Sequence, residues 1–95
     1  MHAVLVEVDT SGADPEEAMR RLREEIVPTV KQAPGFQSGT WLRPNQDAKG
    51  AGLLLFDTEE NAQAAASIVA VGASPQPGVV VERSEVREVA VTAEA

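Results

Sequence analysis

The chain contains no cysteine, no tyrosine, one histidine and only three aromatic residues in 95 positions. Without cysteine there is no disulfide, no thiolate nucleophile and no zinc–thiolate centre. Basic residues are also scarce: 8 against 15 acidic ones, a net charge of −7. Binding nucleic acid requires clustered Lys and Arg to neutralise phosphates, so no nucleic-acid partner is expected. The one basic cluster, Arg20, Arg21 and Arg23, lies among Glu16, Glu17, Glu24 and Glu25. Such mixing describes a solvated helix face with i,i+4 pairs, Glu16 with Arg20 and Glu17 with Arg21. Apolar runs fall far short of a membrane span, and the N-terminal segment carries Glu7 and Asp9 in place of a basic region. The expectation is a cytoplasmic protein with no membrane contact. No phosphate loop, GxGxxG, GxSxG or metal-ligand spacing occurs, so neither cofactor nor metal is expected.

What is present is small and aliphatic. Alanine and valine supply 28 of the 41 hydrophobic residues, leaving few side chains with the large burial area of an aromatic ring. His2 to Asp9 reads as a strand rich in β-branched residues, apolar at both odd and even positions and therefore covered on both faces. Asp14, Pro15 and Glu16-Glu17 form a helix start, with a capping side chain, proline in the first turn and acids at the positive end of the dipole. Ala18, Met19, Leu22, Ile26, Val30 and Ala33 then trace a helix stripe over 15–32. Pro28 removes a backbone hydrogen bond near Glu24 and predicts a kink or a second short segment.

Pro34-Gly35 ends the helix, and Phe36 to Arg43 reads as a second strand. Its alternation sets Phe36, Ser38, Thr40 and Leu42 against Gln37, Gly39, Trp41 and Arg43. Turn chemistry over 44–50 predicts a hairpin into a third strand, Gly52 to Asp57, whose unbroken Leu53-Leu54-Leu55-Phe56 suggests two buried faces. Gly50-Ala51-Gly52 reads as part of that hairpin turn. Asp57 or Thr58 caps an alanine-rich helix over Asn61 to Ala70, with Ala62, Ala65, Ala66 and Val69 as a narrow stripe. A two-proline loop leads to a last strand, Val79 to Val91, whose shifting apolar phase predicts a bulge or a bend.

The order β-α-β-β-α-β is that of a ferredoxin-like split βαβ unit, an α+β fold with an antiparallel sheet. One domain over 1–95 is expected, with 92–95 a frayed tail. Helices cover one face of such a sheet. The other is apolar in this sequence and predicts a symmetric homodimer packed sheet to sheet, though which face meets the partner is open.

Ile26-Val27-Pro28, Ala33-Pro34-Gly35-Phe36, Gly39-Thr40-Trp41 and Phe56 to Ala62 together resemble the dimeric α/β-barrel proteins related to antibiotic biosynthesis monooxygenases. The resemblance spans nearly the whole chain and implies a dimeric α/β barrel. It does not select a reaction, because that group includes cofactor-independent monooxygenases, haem-degrading enzymes, isomerases and decarboxylases. For the haem-degrading members it implies an axial histidine from the second half and an asparagine on the first strand. Neither is present here.

Three residues are candidates for ligand binding: Trp41, His2 and Arg43. Trp41 either stacks on a flat ligand or packs at an edge of the core or interface. His2 is the one side chain of a type whose unperturbed pKa lies near neutrality, and it could act as acid or base or simply begin a strand. Arg43, like Arg83, could hold an anion. Ser38 and Thr40 could polarise a pocket between sheet and helices. Arg83 and Arg87 with Glu82, Glu85 and Glu88 are placed for ion pairs along the last strand. No catalytic residue is assigned. Two readings remain: a cofactor-independent monooxygenase or binder of a small aromatic or apolar molecule, and a non-catalytic dimeric module.

Overall fold

The computed structural model describes all residues from Met1 to Ala95. Four strands, β1 (His2–Asp9), β2 (Phe36–Leu42), β3 (Lys49–Phe56) and β4 (Val80–Glu88), form one antiparallel sheet in the order β2-β3-β1-β4. That order and the helices between the strands are ferredoxin-like α+β, as the element order predicts.

The pairing of β1 with β3 assigns the two faces. Val4 lies opposite Leu54, Val6 opposite Gly52 and His2 opposite Phe56, while Ala3 meets Leu55 and Leu5 meets Leu53. Val4, Val6, Leu54 and Phe56 are buried with Ala62 and Val81 as one core cluster. Strand alternation therefore turns Leu5, Leu53 and Leu55 to the face without helices. Both faces of β1 and β3 are apolar for different reasons: one is core, the other has no cover within the chain.

The first helical segment begins as its caps require. Asp14 accepts a hydrogen bond from Glu16 N (3.2 Å), and Pro15 opens α1 (Pro15–Arg21). A π-helical turn, Leu22–Ile26, follows, and α2 (Val27–Val30) completes the rod. The Val27 N–H reaches back five residues to the Leu22 carbonyl. This wider turn directly precedes Pro28, whose missing N–H and ring disfavour a regular α-turn. The rod stops at Val30, two residues short of the sequence expectation. Gly35 then turns the chain with φ 76°; a Cβ there would collide with the Asp57 carboxylate.

α3 (Glu59–Ile68) is capped by Thr58, which accepts from Asn61 N. Its Ala62 is fully buried, so the small side chain lets the helix lie close on the sheet. Phe36 and Phe56 meet edge to face with centroids 5.9 Å apart.

Several expectations need correction. β3 starts at Lys49, so Gly50-Ala51-Gly52 belongs to the strand and not to the turn. β4 ends at Glu88, and Val91 is exposed. The expected bulge in β4 is present: the register with β1 shifts between Glu7 and Val8, leaving Glu82 as the extra residue. A second bulge, not expected, shifts β2 against β3 between Phe36 and Ser38. It places Phe36 on the same face as Gly39 and Trp41.

The charged helix face also differs in detail. Arg20 bridges Glu17 and Glu24, and Arg21 pairs with Glu17 as expected, but Glu16 takes no part. The Arg20 guanidinium, and after it Arg21, holds the Glu17 carboxyl down at about 2. On the sheet, Asp9 is likewise lowered to about 2, first by hydrogen bonds from Ser11 and then by Lys49.

Two outcomes follow. Phe56→Ala should cost about 3–5 kcal/mol in urea unfolding, the usual range for truncating a fully buried Phe. For Asp9, a depressed folded-state pKa contributes stability above its ordinary value near 3.8, lost as pH falls toward about 2. A carboxyl NMR titration should find Asp9 still ionised at about pH 3, and Lys49→Ala should raise its midpoint.

Candidate functional site

Between the sheet and the helical rod lies an apolar cavity of about 120 Å³. Its sheet wall is built from small residues, because Gly50 and Gly52 on β3 stand beside Val6 and Val8 on β1. Met19, Leu22 and Ile26 close it from the helix side. The stripe read from the sequence as core packing is thus also the cavity roof. Leu22 and Ile26 bound the π-turn, a distortion frequent at functional positions.

Trp41 lies flat on the glycines. It pairs with Gly52 across the strands. A Cβ on Gly39 would approach the ring at 2.7 Å, and one on Gly52 at 3.2 Å. Only residues without a side chain leave room for the indole there. The half-buried ring therefore lines the cavity while still covering the sheet.

The other candidates are not brought together with it. His2 lies on the same sheet face, but four residues along β1 from the level of Trp41, about 13 Å at a strand's rise of about 3.3 Å per residue. It does not line the cavity. Its Nε2 stands 3.2 Å from Glu59 at the start of α3, and its buried Nδ1 has no partner. Arg43 is exposed beyond the end of β2, between the lining residues Leu42 and Pro44. Ser38 and Thr40 pair with Leu55 and Leu53 and thus face away from the helices. They do not polarise the cavity, because strand alternation sets them opposite Trp41.

Sequence reasoning missed Gln76. It sits in the loop Ser74-Pro75-Gln76-Pro77, reaches 58 residues back to donate from Nε2 to the Ala18 carbonyl (3.2 Å), and lines the cavity. A lone amide held between two prolines was the available signal. No lining side chain is ionisable: Thr10 and Gln76 are the polar ones, and the Thr10 hydroxyl already donates to the Ala48 carbonyl. The site can bind and orient an apolar molecule, and its own side chains supply no acid–base pair.

The opposite sheet face has a different character. Leu53 is 44% exposed, and Leu5 and Leu55 are half-buried beside it. Charged pairs ring this apolar centre: Arg83 with Glu7 and Glu85, Arg87 with Glu85, and Lys49 with Asp9 and Glu82. Glu88 takes no part in these pairs.

No family model and no curated protein matches the chain. Among solved structures, it is similar to an MhuD mutant crystallised with two manganese protoporphyrin IX molecules per active site, with TM-score 0.65 and 17% identity over the full length of both chains. At that identity the match supports the fold alone, the ferredoxin-like α+β arrangement described above. No helix is long and apolar enough to cross a membrane.

The contact of indole with glycine is directly testable, since Trp41 is the chain's only tryptophan and tyrosine is absent. Gly39→Ala should displace the ring, shift its emission to longer wavelength and cost about 1 kcal/mol of stability. An unchanged spectrum would show that the ring does not rest on Gly39.

Proposed function

We propose, with the monooxygenase-like fold as the premise, that this protein is a homodimer that binds a small aromatic or apolar molecule in the cavity walled by Trp41. The observation that carries this reading is an apolar cavity kept open by glycines in a chain otherwise short of large side chains. A lined apolar void of this size accepts a molecule of about one ring; an engineered cavity of about 150 Å³ takes up benzene. Binding is favoured over acid–base catalysis because the lining holds no titratable side chain.

The dimer rests on the uncovered sheet face. An apolar centre with a charged rim is the usual anatomy of an interface, and a second copy would bury Leu5, Leu53 and Leu55. The ring of ion pairs would then set the register between copies.

Porphyrin belongs to the MhuD structure and does not carry over. No histidine or cysteine lines this cavity, and His2, the only histidine, is at the far end of the sheet with Nε2 engaged by Glu59. The residues present do not fit an axially ligated porphyrin.

Titration with p-xylene tests the reading. Saturable shifts of the Trp41 indole N–H resonance, with a rise in Tm as the ligand stabilises the native state, are expected. No shift up to the solubility limit of p-xylene would contradict it.

A further inference from the structure

The indole of Trp41 carries a hydrogen-bond donor that the fold does not use. An indole N–H can only donate, and when buried it usually finds an acceptor. Here Nε1 bonds to no atom of the protein. Nor is it one of the unpaired polar atoms sealed in the interior, which are His2 Nδ1, Gln76 Oε1 and Ser84 Oγ. An unpaired nitrogen that is not sealed can be reached by a small molecule.

The glycines beneath the ring fix where that nitrogen stands. A Cβ on Gly52 would lie 3.2 Å from Cδ1 and 3.4 Å from Nε1, whereas one on Gly39 would lie 2.7 Å from Cη2 and 2.9 Å from Cζ3. The six-membered ring thus runs back along β2 over Gly39, and the pyrrole edge with Nε1 reaches across to β3 over Gly52. Because β2 is an edge strand and β3 its inner neighbour, Nε1 is turned toward the middle of the sheet and not out past its edge. The cavity lies in that direction: Gly52, its partner Val6 on β1, and Leu54 all line it. A larger residue at position 52 would stand against Nε1, and glycine leaves it bare. The other polar lining groups are already engaged, the Thr10 hydroxyl by the Ala48 carbonyl and Gln76 Nε2 by the Ala18 carbonyl.

We infer that Trp41 selects the ligand of this cavity: a neutral molecule of one apolar ring with a carbonyl oxygen, an aryl ketone or aldehyde, which accepts the Nε1–H over Gly52. A carbonyl supplies the acceptor the indole lacks without bringing a proton that needs a partner of its own. A pure hydrocarbon fills the same space and leaves the donor unpaired. A carboxylate would enter with a charge that no lining side chain offsets, in a protein whose net charge is −7. The inference rests on the cavity being a ligand site and adds the chemistry of what enters it.

The test compares acetophenone with α-methylstyrene, which has the same shape and a CH2 group in place of the carbonyl oxygen. Affinities for the wild-type chain and for Trp41→Phe are measured by calorimetry. Both ligands should bind the variant more weakly because part of the cavity wall is gone. Acetophenone should lose about tenfold more than α-methylstyrene, the scale of one neutral hydrogen bond. Equal losses for the two ligands overturn the role of Nε1 and leave the cavity reading standing. Wild-type protein that binds neither ligand overturns the cavity reading and this inference together. Should Trp41→Phe not fold, NMR of the wild-type indole decides. Acetophenone should move the Nε1 proton further downfield than α-methylstyrene does, since their phenyl rings shield it alike, and identical shifts overturn the inference.

Discussion

The structure depends on the antiparallel register of β1 against β3. A one-residue slip of either strand would exchange that strand's faces: in β1 it would turn Val4 and Val6 away from the helices and Leu5 toward them, and in β3 it would do the same to Leu54 and Phe56 against Leu53 and Leu55. In the observed register Val4, Val6, Leu54 and Phe56 form the core with Ala62 and Val81, and Gly52 falls opposite Val6. That opposition opens space above the sheet, which Trp41 enters from β2. Core, cavity and uncovered apolar face are therefore consequences of one pairing.

Local chemistry made much of this fold legible. Asp14-Pro15 and Thr58 mark helix starts through side chains that cap the next few N–H groups, and Pro28 marks the irregular turn because it lacks one. Such signals need no knowledge of distant partners. The assignment of faces does need it: with valine and leucine on both sides of β1 and β3, hydropathy cannot say which side meets a helix. The bulge at Phe36 and Ser38 was hidden for the same reason, since an extra residue in a strand is defined by what it pairs with. Gly50 to Gly52 looked like turn chemistry until pairing with β1 drew them into β3.

The site was legible in part. Trp41 stood out by its rarity, and the structure shows it lining the cavity. His2 and Arg43 drew attention by their chemistry alone and lie away from it. Gln76 was marked only by its place between two prolines, because its significance comes from a contact 58 residues distant. A chain poor in large side chains first suggests a weak core. In three dimensions the shortage is local: the glycines beneath Trp41 and the alanines of α3 permit close approach, while the leucines missing from the core count are on the face that lacks a cover.

The division of labour between the two faces is the central claim, and a pair of substitutions measured by light scattering tests it most directly. The wild-type chain should scatter as twice its 10.0 kDa mass. Leu53→Glu should give a folded monomer, whereas Leu54→Glu, one residue along the same strand, should unfold. A wild-type monomer, or a Leu53→Glu protein that remains dimeric, would contradict the account.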